Sequence, residues 1–141
     1  MNLERAIEIA VTAHKGQVDK SGAPYILHPL RVMMSLETEG ERIVAVLHDV
    51  VEDCEEWPLQ RLREEGLPEE LATALESVTR NDGETYTEFI ERSKTNAIGR
   101  RVKAADLRDN MDLSRIENPT EQDHRRTKKY RRALSRLGEE T

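Results

Sequence analysis

The residues with the clearest capacity for chemistry lie in one short run, HDVVED, which contains His48, Asp49, Glu52 and Asp53. The run ends the most apolar stretch of the chain, which predicts a helix over residues 41–52 that is buried on all sides. On such a helix the four polar side chains project within an arc of about 140°. Placing polar and charged side chains beside a buried helix costs free energy unless a cation compensates their negative charge. The run therefore indicates a divalent metal ion.

One helix cannot complete the coordination sphere of a metal ion, so further ligands are expected from elsewhere in the chain. His28 lies 20 residues before His48, and Asp106 lies 57 residues after Asp49. Asp106 stands beside apolar side chains on its own predicted helix, where a carboxylate needs a partner. Two His and two Asp residues suit Mn²⁺, Fe²⁺ or Zn²⁺ and leave positions for water and a phosphate oxygen.

Each of these residues also has a plainer interpretation. His28 by itself is compatible with a helix cap, and Asp106 with an ion pair to Arg101 or Lys103. His14 falls on the apolar face of the first predicted helix, where a single His is more often a packing residue than a ligand. The combination of residues, and no single member, predicts the metal site.

Helical patterns dominate the rest of the chain. We expect helices over residues 3–15, 29–37, 41–52, 59–65, 68–78, 85–94, 96–112 and 120–137. Residues 16–28 contain Gly16, Gly22 and Pro24 and predict an ordered loop. No segment alternates like a strand, and no repeat or linker is visible. The sequence therefore predicts one all-α domain over residues 1–141.

Composition narrows the class of protein. The chain has 141 residues, 36% apolar and 35% charged, which suits a highly solvated helical protein of one ordinary domain. Its net charge of −6 and few aromatic residues argue against nucleic-acid binding. Cys54 has no second cysteine to pair with, and nothing resembles a signal peptide or a membrane span. These features predict a cytoplasmic protein with no membrane partner.

The charge is distributed unevenly along the chain. Residues 1–70 carry 7 Lys/Arg and 15 Asp/Glu, whereas residues 71–141 carry 15 and 13. An acidic half suits a metal ion and a basic half suits phosphates, although ordinary solvated helix faces explain both equally well. In the last helix, Tyr130, Ala133, Leu134 and Leu137 recur at helical spacing and predict a mainly structural role. A phosphate contact through Arg125 or Arg126 is the alternative.

Several motifs together resemble a known family. Residues 13–29, AHKGQVDKSGAPYILHP, are similar to the opening of the hydrolase domain of RelA/SpoT-type alarmone enzymes. Residues 47–53 resemble its HD-x-x-ED motif, and residues 78–80 and 102–106 with Asn110 resemble its later motifs. The motifs keep their order over about residues 4–113, and the chain length is similar to that of stand-alone small alarmone hydrolases.

The resemblance implies a helical HD-domain bundle that holds one Mn²⁺ ion through His28, His48, Asp49 and Asp106. It implies that Glu52 and Asp53 orient or deprotonate the attacking water. It also places three residues near the substrate: Lys20, Ser21 and Asn110. The family reaction removes the 3′-diphosphate from (p)ppGpp and leaves GDP or GTP and pyrophosphate.

Two departures from the family pattern keep other interpretations open. Asp19 stands where the family usually has Arg, and Leu107 stands where it usually has Arg or Lys. One alternative is an HD phosphohydrolase for another nucleotide, and a second is a non-catalytic, metal-stabilised module that senses nucleotides. The complete Glu52–Asp53 pair favours an enzyme with a small-molecule nucleotide substrate. Self-association into a homo-oligomer is left open.

Overall fold

The computed structural model describes residues 1–139. Within these residues the chain forms nine α-helices and one 3₁₀ turn, Leu113–Arg115. The helices are α1 (Leu3–His14), α2 (Leu27–Met34), α3 (Glu39–Leu47), α4 (Val50–Asp53), α5 (Leu59–Glu64), α6 (Glu69–Ser77), α7 (Tyr86–Lys94), α8 (Ala97–Met111) and α9 (Glu121–Leu137). The prediction of an all-α fold is confirmed. None of the described helices combines the length and the apolar character that crossing a membrane requires.

The bundle is built around α3, which packs against α1, α2, α6 and α8. A capping box joins Thr38 and Glu41 at its start, so two otherwise unpaired backbone N–H groups are satisfied. Every residue from Ile43 to Leu47 is at most 2% exposed. A central helix of this kind explains the continuous apolar run in the sequence.

The predicted helix over residues 41–52 was wrong at its end, because α3 stops at Leu47 and α4 starts at Val50. The carbonyl oxygen of Ala45 accepts hydrogen bonds from the backbone N–H of His48 (3.3 Å) and from His48 Nδ1 (2.5 Å). Continuing the helix would require that oxygen to accept from Asp49 instead. His48 and Asp49 therefore lie at a break in the helix.

The second helix begins earlier than predicted. Pro29 was expected to be its first residue, but α2 begins at Leu27. The N–H groups of Leu27 and His28 donate to the carbonyl oxygens of Pro24 (3.2 Å) and Tyr25 (3.0 Å), which starts the first turn before the proline. Proline is tolerated there because first-turn N–H groups have no partner within the helix. His28 is consequently a helical residue and is not the end of a loop.

The last helix, α9, follows the sequence prediction closely. Thr120 caps it, and a capping box links Thr120 to Asp123. Ala133, Leu134 and Leu137 are buried in a second apolar cluster shared with α7 and α8, and Tyr130 packs against this cluster half-buried. The expected apolar stripe is confirmed, so α9 is an integral part of the bundle.

The closest approach of α6 and α8 depends on Gly99. A methyl group at this position would overlap Ser77 Oγ and lie 3.2 Å from Ser77 Cβ. Because an overfilled core forces its neighbours to shift, we expect Gly99→Ala to lower the free energy of unfolding by about 1–3 kcal/mol. Urea denaturation measures this loss. Adding Ser77→Ala should recover much of it, and unchanged stability of Gly99→Ala would contradict this account of the packing.

Candidate active site

The four predicted metal ligands come together where α2, α8 and the break after α3 meet. Asp106 Oδ1 lies 2.9 Å from His28 Nε2 and 3.2 Å from His48 Nε2. Asp49 Oδ2 lies 3.2 Å from His48 Nε2 and 3.7 Å from His28 Nε2. Residues separated by 78 positions in the sequence thus form one cluster of donor atoms, called here the His-Asp cluster.

The donor set of this cluster fits a divalent metal ion. His28, His48 and Asp49 each offer one ligand atom, and these atoms lie within 4.8 Å of one another. His28 Nδ1 is bonded to Asp109 Oδ2 (2.6 Å), and His48 Nδ1 is bonded to the Ala45 carbonyl (2.5 Å). Because both acceptors are oxygen atoms, each Nδ1 carries the proton and each Nε2 faces the cluster.

The pKa shifts in the His-Asp cluster indicate that its carboxylates favour positive charge nearby. Burial by itself would lower the pKa of His48, but the charges of Asp49 and Asp106 hold it well above its usual value. Burial would likewise raise the pKa of Asp49, yet the His48 charge lowers it to about 2. Without a cation, protons on the histidines balance the carboxylates; a divalent ion supplies the same charge at the same place.

Lys103 holds the outer oxygen of Asp106. Its Nζ lies 2.9 Å from Asp106 Oδ2, and Asn110 Nδ2 donates to Asp106 Oδ1 (3.2 Å). Burial would lower the pKa of Lys103, but the Asp106 charge raises it above its usual range. The sequence offered Arg101 as a second ion-pair candidate for Asp106, but Arg101 pairs with Glu41 instead. Asp106 is ion-paired through one oxygen and belongs to the His-Asp cluster through the other. The ion-pair interpretation and the metal-ligand interpretation of this residue are therefore compatible.

Two supporting residues were missed at the sequence level. Asp109 accepts from His28 Nδ1 and also from Arg31 Nε (2.8 Å), and the Tyr25 hydroxyl donates to Asp49 Oδ2 (2.5 Å). Asp109 follows Asp106 by three residues, as Arg31 follows His28, and residues at this spacing share a helix face. The paired spacings were a usable signal for Asp109, whereas Tyr25 reaches the cluster from a loop that has no periodicity.

Glu52 and Asp53 lie on α4, one turn beyond the cluster residue Asp49. Glu52 Oε1 accepts from the backbone N–H of Arg80 (2.7 Å). Glu52 and Asp53 are exposed residues whose carboxyl groups are partly desolvated. This desolvation raises the pKa of both carboxyl groups, and the Asp49 charge raises both further, while the Arg80 hydrogen bond opposes the shift of Glu52. Within residues 1–139 neither carboxylate hydrogen-bonds a member of the His-Asp cluster. Their predicted role in orienting or deprotonating water stays a prediction.

A cavity of about 360 Å³ lies beside His28 and Tyr25. Its walls include all three residues that were predicted to lie near a substrate: Lys20, Ser21 and Asn110. From α9 it receives Arg126 and Tyr130. The volume is in the range of sites for small organic ligands. Of the four predicted metal ligands, His28 also lines this cavity, so His28 joins the His-Asp cluster to the predicted substrate residues.

Four Lys/Arg and four Asp residues line this cavity, and two of the cations, Lys20 and Arg126, lie close together at its rim. This pair is called here the basic rim. Lys20 Nζ and Arg126 Nη1 lie 3.5 Å and 3.4 Å from the same oxygen, Asp123 Oδ1. Asp123 Oδ2 is occupied by the cap of α9, where it accepts from the Thr120 N–H (2.8 Å). Two cations share one carboxylate, so the group has an excess of positive charge that suits an anionic ligand.

The two departures from the family pattern have distinct structural outcomes. Asp19 Oδ1 accepts from Ser21 N (2.9 Å), Ser21 Oγ (2.7 Å) and Ala23 N (3.0 Å), so it shapes the cavity loop. Leu107 is fully buried in the second apolar cluster, and its side chain packs in the core shared with α9. Only the change at Asp19 affects the cavity wall.

Comparison with known proteins identifies sequence relatives of this chain. No family model matches the chain. A probable GTP pyrophosphokinase of Mycobacterium leprae is 34% identical over 133 residues, which cover 85% of this chain and 17% of that protein. A guanosine-3′,5′-bis(diphosphate) 3′-pyrophosphohydrolase of Aquifex aeolicus is 38% identical over 82 residues, 55% of this chain and 12% of that protein. The chain spans less than a fifth of the length of these relatives.

A solved structure supports the same fold. It is described as a metazoan ortholog of SpoT that hydrolyzes ppGpp, and it matches 96% of this chain and 84% of its own with a TM-score of 0.76. The sequence identity is 20%, so this match speaks for the fold. The helical bundle and the sequence matches confirm the resemblance to the hydrolase domain of RelA/SpoT-type proteins.

The hydrogen bond from His28 to Asp109 generates a prediction about metal affinity. Asp109→Ala removes the group that keeps the proton on His28 Nδ1, so we expect Mn²⁺ binding to weaken by roughly 10- to 100-fold. Isothermal titration calorimetry measures this change. Asp112→Ala is the matched control, since Asp112 is an exposed acid one turn away that pairs with Arg115. Equal affinities of the two variants would contradict the supporting role of Asp109.

Proposed function

We propose that this chain is a divalent-metal-dependent phosphohydrolase of a phosphorylated nucleotide. The best candidate reaction removes the 3′-diphosphate of (p)ppGpp-like alarmones and leaves GDP or GTP and pyrophosphate. The observation that carries the proposal is that His28 belongs both to the His-Asp cluster and to the wall of the cavity that Lys20 and Arg126 line. The named activity of the Aquifex aeolicus relative supports the same reaction.

The His-Asp cluster would hold one metal ion through His28, His48, Asp49 and Asp106, and Mn²⁺ is the best candidate. Mixed imidazole and carboxylate ligands suit ions of this class. When bound, the metal polarises a phosphoryl oxygen and lowers the pKa of a bound water. The chain contributes fixed ring orientations through the two Nδ1 hydrogen bonds and fixes the Asp106 carboxylate through Lys103.

Glu52 and Asp53 are the candidates that receive the proton of the attacking water. Partial desolvation and the Asp49 charge raise the pKa of both carboxyl groups, and a higher pKa makes a carboxylate a better base. Arg80 holds one oxygen of Glu52, so the second oxygen is the one available to water. This arrangement orients Glu52 without occupying both of its oxygens.

The basic rim supplies the substrate contacts. Lys20 and Arg126 would stabilise negative charge on phosphate groups, because their shared partner Asp123 neutralises only one of them. Ser21 and Asn110 line the same cavity and offer hydrogen-bonding groups to a sugar or phosphate. A nucleotide other than an alarmone is the second candidate. Asp19 favours it, since a carboxylate cannot stack on a base as Arg does.

Release of products from a nucleotide panel with added Mn²⁺ tests the proposal. We expect pyrophosphate and GDP from ppGpp, with no release by His48→Ala or Asp49→Ala, which should also lose the metal by elemental analysis. Orthophosphate or pyrophosphate release from a different nucleotide alone would support the second candidate. Tight nucleotide binding without any product would favour the sensing module and overturn the enzyme.

Glu52→Gln separates metal binding from chemistry. The amide keeps the shape of the side chain and removes its basicity, so we expect full metal content and turnover slower by roughly 10²-fold or more. Single-turnover kinetics measure the rate. Glu55→Gln, a change at an exposed acid just after α4, is the control and should retain the wild-type rate. Wild-type rates in both Glu52→Gln and Asp53→Asn would remove the pair from the mechanism.

Arg125 and Arg126 provide a matched test of the basic rim. Arg126 lines the cavity, whereas the Arg125 side chain is 71% exposed and pairs only loosely with Glu121. We expect Arg126→Ala to raise KM by about tenfold, an effect that shrinks with added salt, and Arg125→Ala to leave KM unchanged. Steady-state kinetics at two ionic strengths measure both effects. Equal KM values in the two variants would restrict α9 to its structural role.

A further inference from the structure

The end of α1 holds a polar atom to which the proposed reaction gives no role. His14 is 2% exposed, and its Nε2 has no hydrogen-bond partner within residues 1–139. Buried side-chain nitrogen atoms are nearly always paired with protein groups or with ordered water. An unpaired imidazole nitrogen next to a candidate active site therefore needs a specific explanation.

The surrounding hydrogen bonds fix the protonation pattern of His14. Cys54 Sγ donates to the Ala13 carbonyl (3.3 Å), so it can only accept from Gln17, whose Nε2 lies 3.8 Å away. The amide oxygen of Gln17 then faces His14 Nδ1 at 2.9 Å and accepts its proton. In the neutral ring Nε2 consequently carries a lone pair and is a hydrogen-bond acceptor.

The same contacts place His14 beside Asp53. Ala13 precedes His14 and Cys54 follows Asp53, so the hydrogen bond between Ala13 and Cys54 joins the ends of α1 and α4. The nearby Tyr25 ring lies 5.1 Å from the His14 ring, but its hydroxyl is committed to Asp49. Asp53 accepts no side-chain hydrogen bond in the described part of the chain. Asp53 is itself an exposed residue. His14 and Asp53 thus end two adjoining helices, and neither His14 Nε2 nor the Asp53 carboxylate has a side-chain donor among the described residues.

We propose that His14 is a positioning residue for Asp53, and that one ordered water molecule donates one hydrogen to His14 Nε2 and the other to the Asp53 carboxylate. A water molecule is the smallest group that satisfies two acceptors at once. The bridge fixes the carboxylate so that its other oxygen is presented to the attacking water. The effect on catalysis rests on the proposed function, whereas the water bridge does not.

Two substitutions of His14 separate this role from simple packing. His14→Gln keeps a hydrogen-bond acceptor near the position of Nε2, and His14→Asn keeps only the amide nitrogen that replaces Nδ1 and contacts Gln17. We expect His14→Asn to lower kcat by about tenfold or more with unchanged KM and metal content, and His14→Gln to restore a rate close to wild type. Equal losses of kcat in the two variants would overturn the positioning role.

A high-resolution crystal structure of the wild-type chain tests the bridge without an activity assay. We expect one water within hydrogen-bond distance of both His14 Nε2 and an Asp53 carboxylate oxygen. A dry Nε2, or a water that contacts Nε2 but not Asp53, would overturn the inference even if both variants fail to fold. If the wild-type chain hydrolyses no nucleotide, the proposed function fails, and the crystal structure still decides on the bridge.

Discussion

The site depends on one buried carboxylate, Asp106, which is only 5% exposed. A carboxylate withdrawn from water is costly unless every oxygen finds a positive or donating partner. Asp106 achieves this with Lys103 on one oxygen and with Asn110, His28 and His48 on the other. These partners come from α2, α8 and the end of α3, so compensating one charge ties together the helices that form the site. The same compensation brings two imidazole nitrogens and two carboxylates together, and three of these residues, His28, His48 and Asp49, form a group that could hold a divalent cation.

The break between α3 and α4 is a consequence of this geometry. The His48 ring takes the Ala45 carbonyl that the helix would otherwise use, and this hydrogen bond also points Nε2 at Asp106. One side chain thereby ends the helix and orients its Nε2 toward the His-Asp cluster. The short α4 then carries Glu52 and Asp53 in a direction of its own, and Glu52 is anchored to the backbone of Arg80 instead of to α3.

The features that could be predicted from the sequence are those determined by hydrophobic periodicity and by residue chemistry. Helix positions, the buried α3 and the candidates His48, Asp49 and Asp106 followed from apolar spacing and from polar groups beside an apolar face. His28 was assigned to a loop, and the family resemblance supported its place in the ligand set. The helix break, the early start of α2 and the role of Tyr25 depend on hydrogen bonds between side chains and backbone or between distant segments, which leave no periodic signal. Arg125 and Arg126 are adjacent residues of the same type, so residue chemistry does not distinguish them. Only Arg126 lies four residues before Tyr130 and shares its face toward the cavity.

Asp123 explains how an acidic protein of net charge −6 presents a basic rim to its cavity. One of its oxygens completes the cap of α9, and the other lies between Lys20 and Arg126. The cap therefore fixes the start of α9 and, through the same carboxylate, holds the loop of residues 16–26 against it. Asp19 organises that loop from inside through three hydrogen bonds. Acidic residues here are structural partners that place the cations, and the contacts that order this side of the cavity also position Lys20 and Arg126.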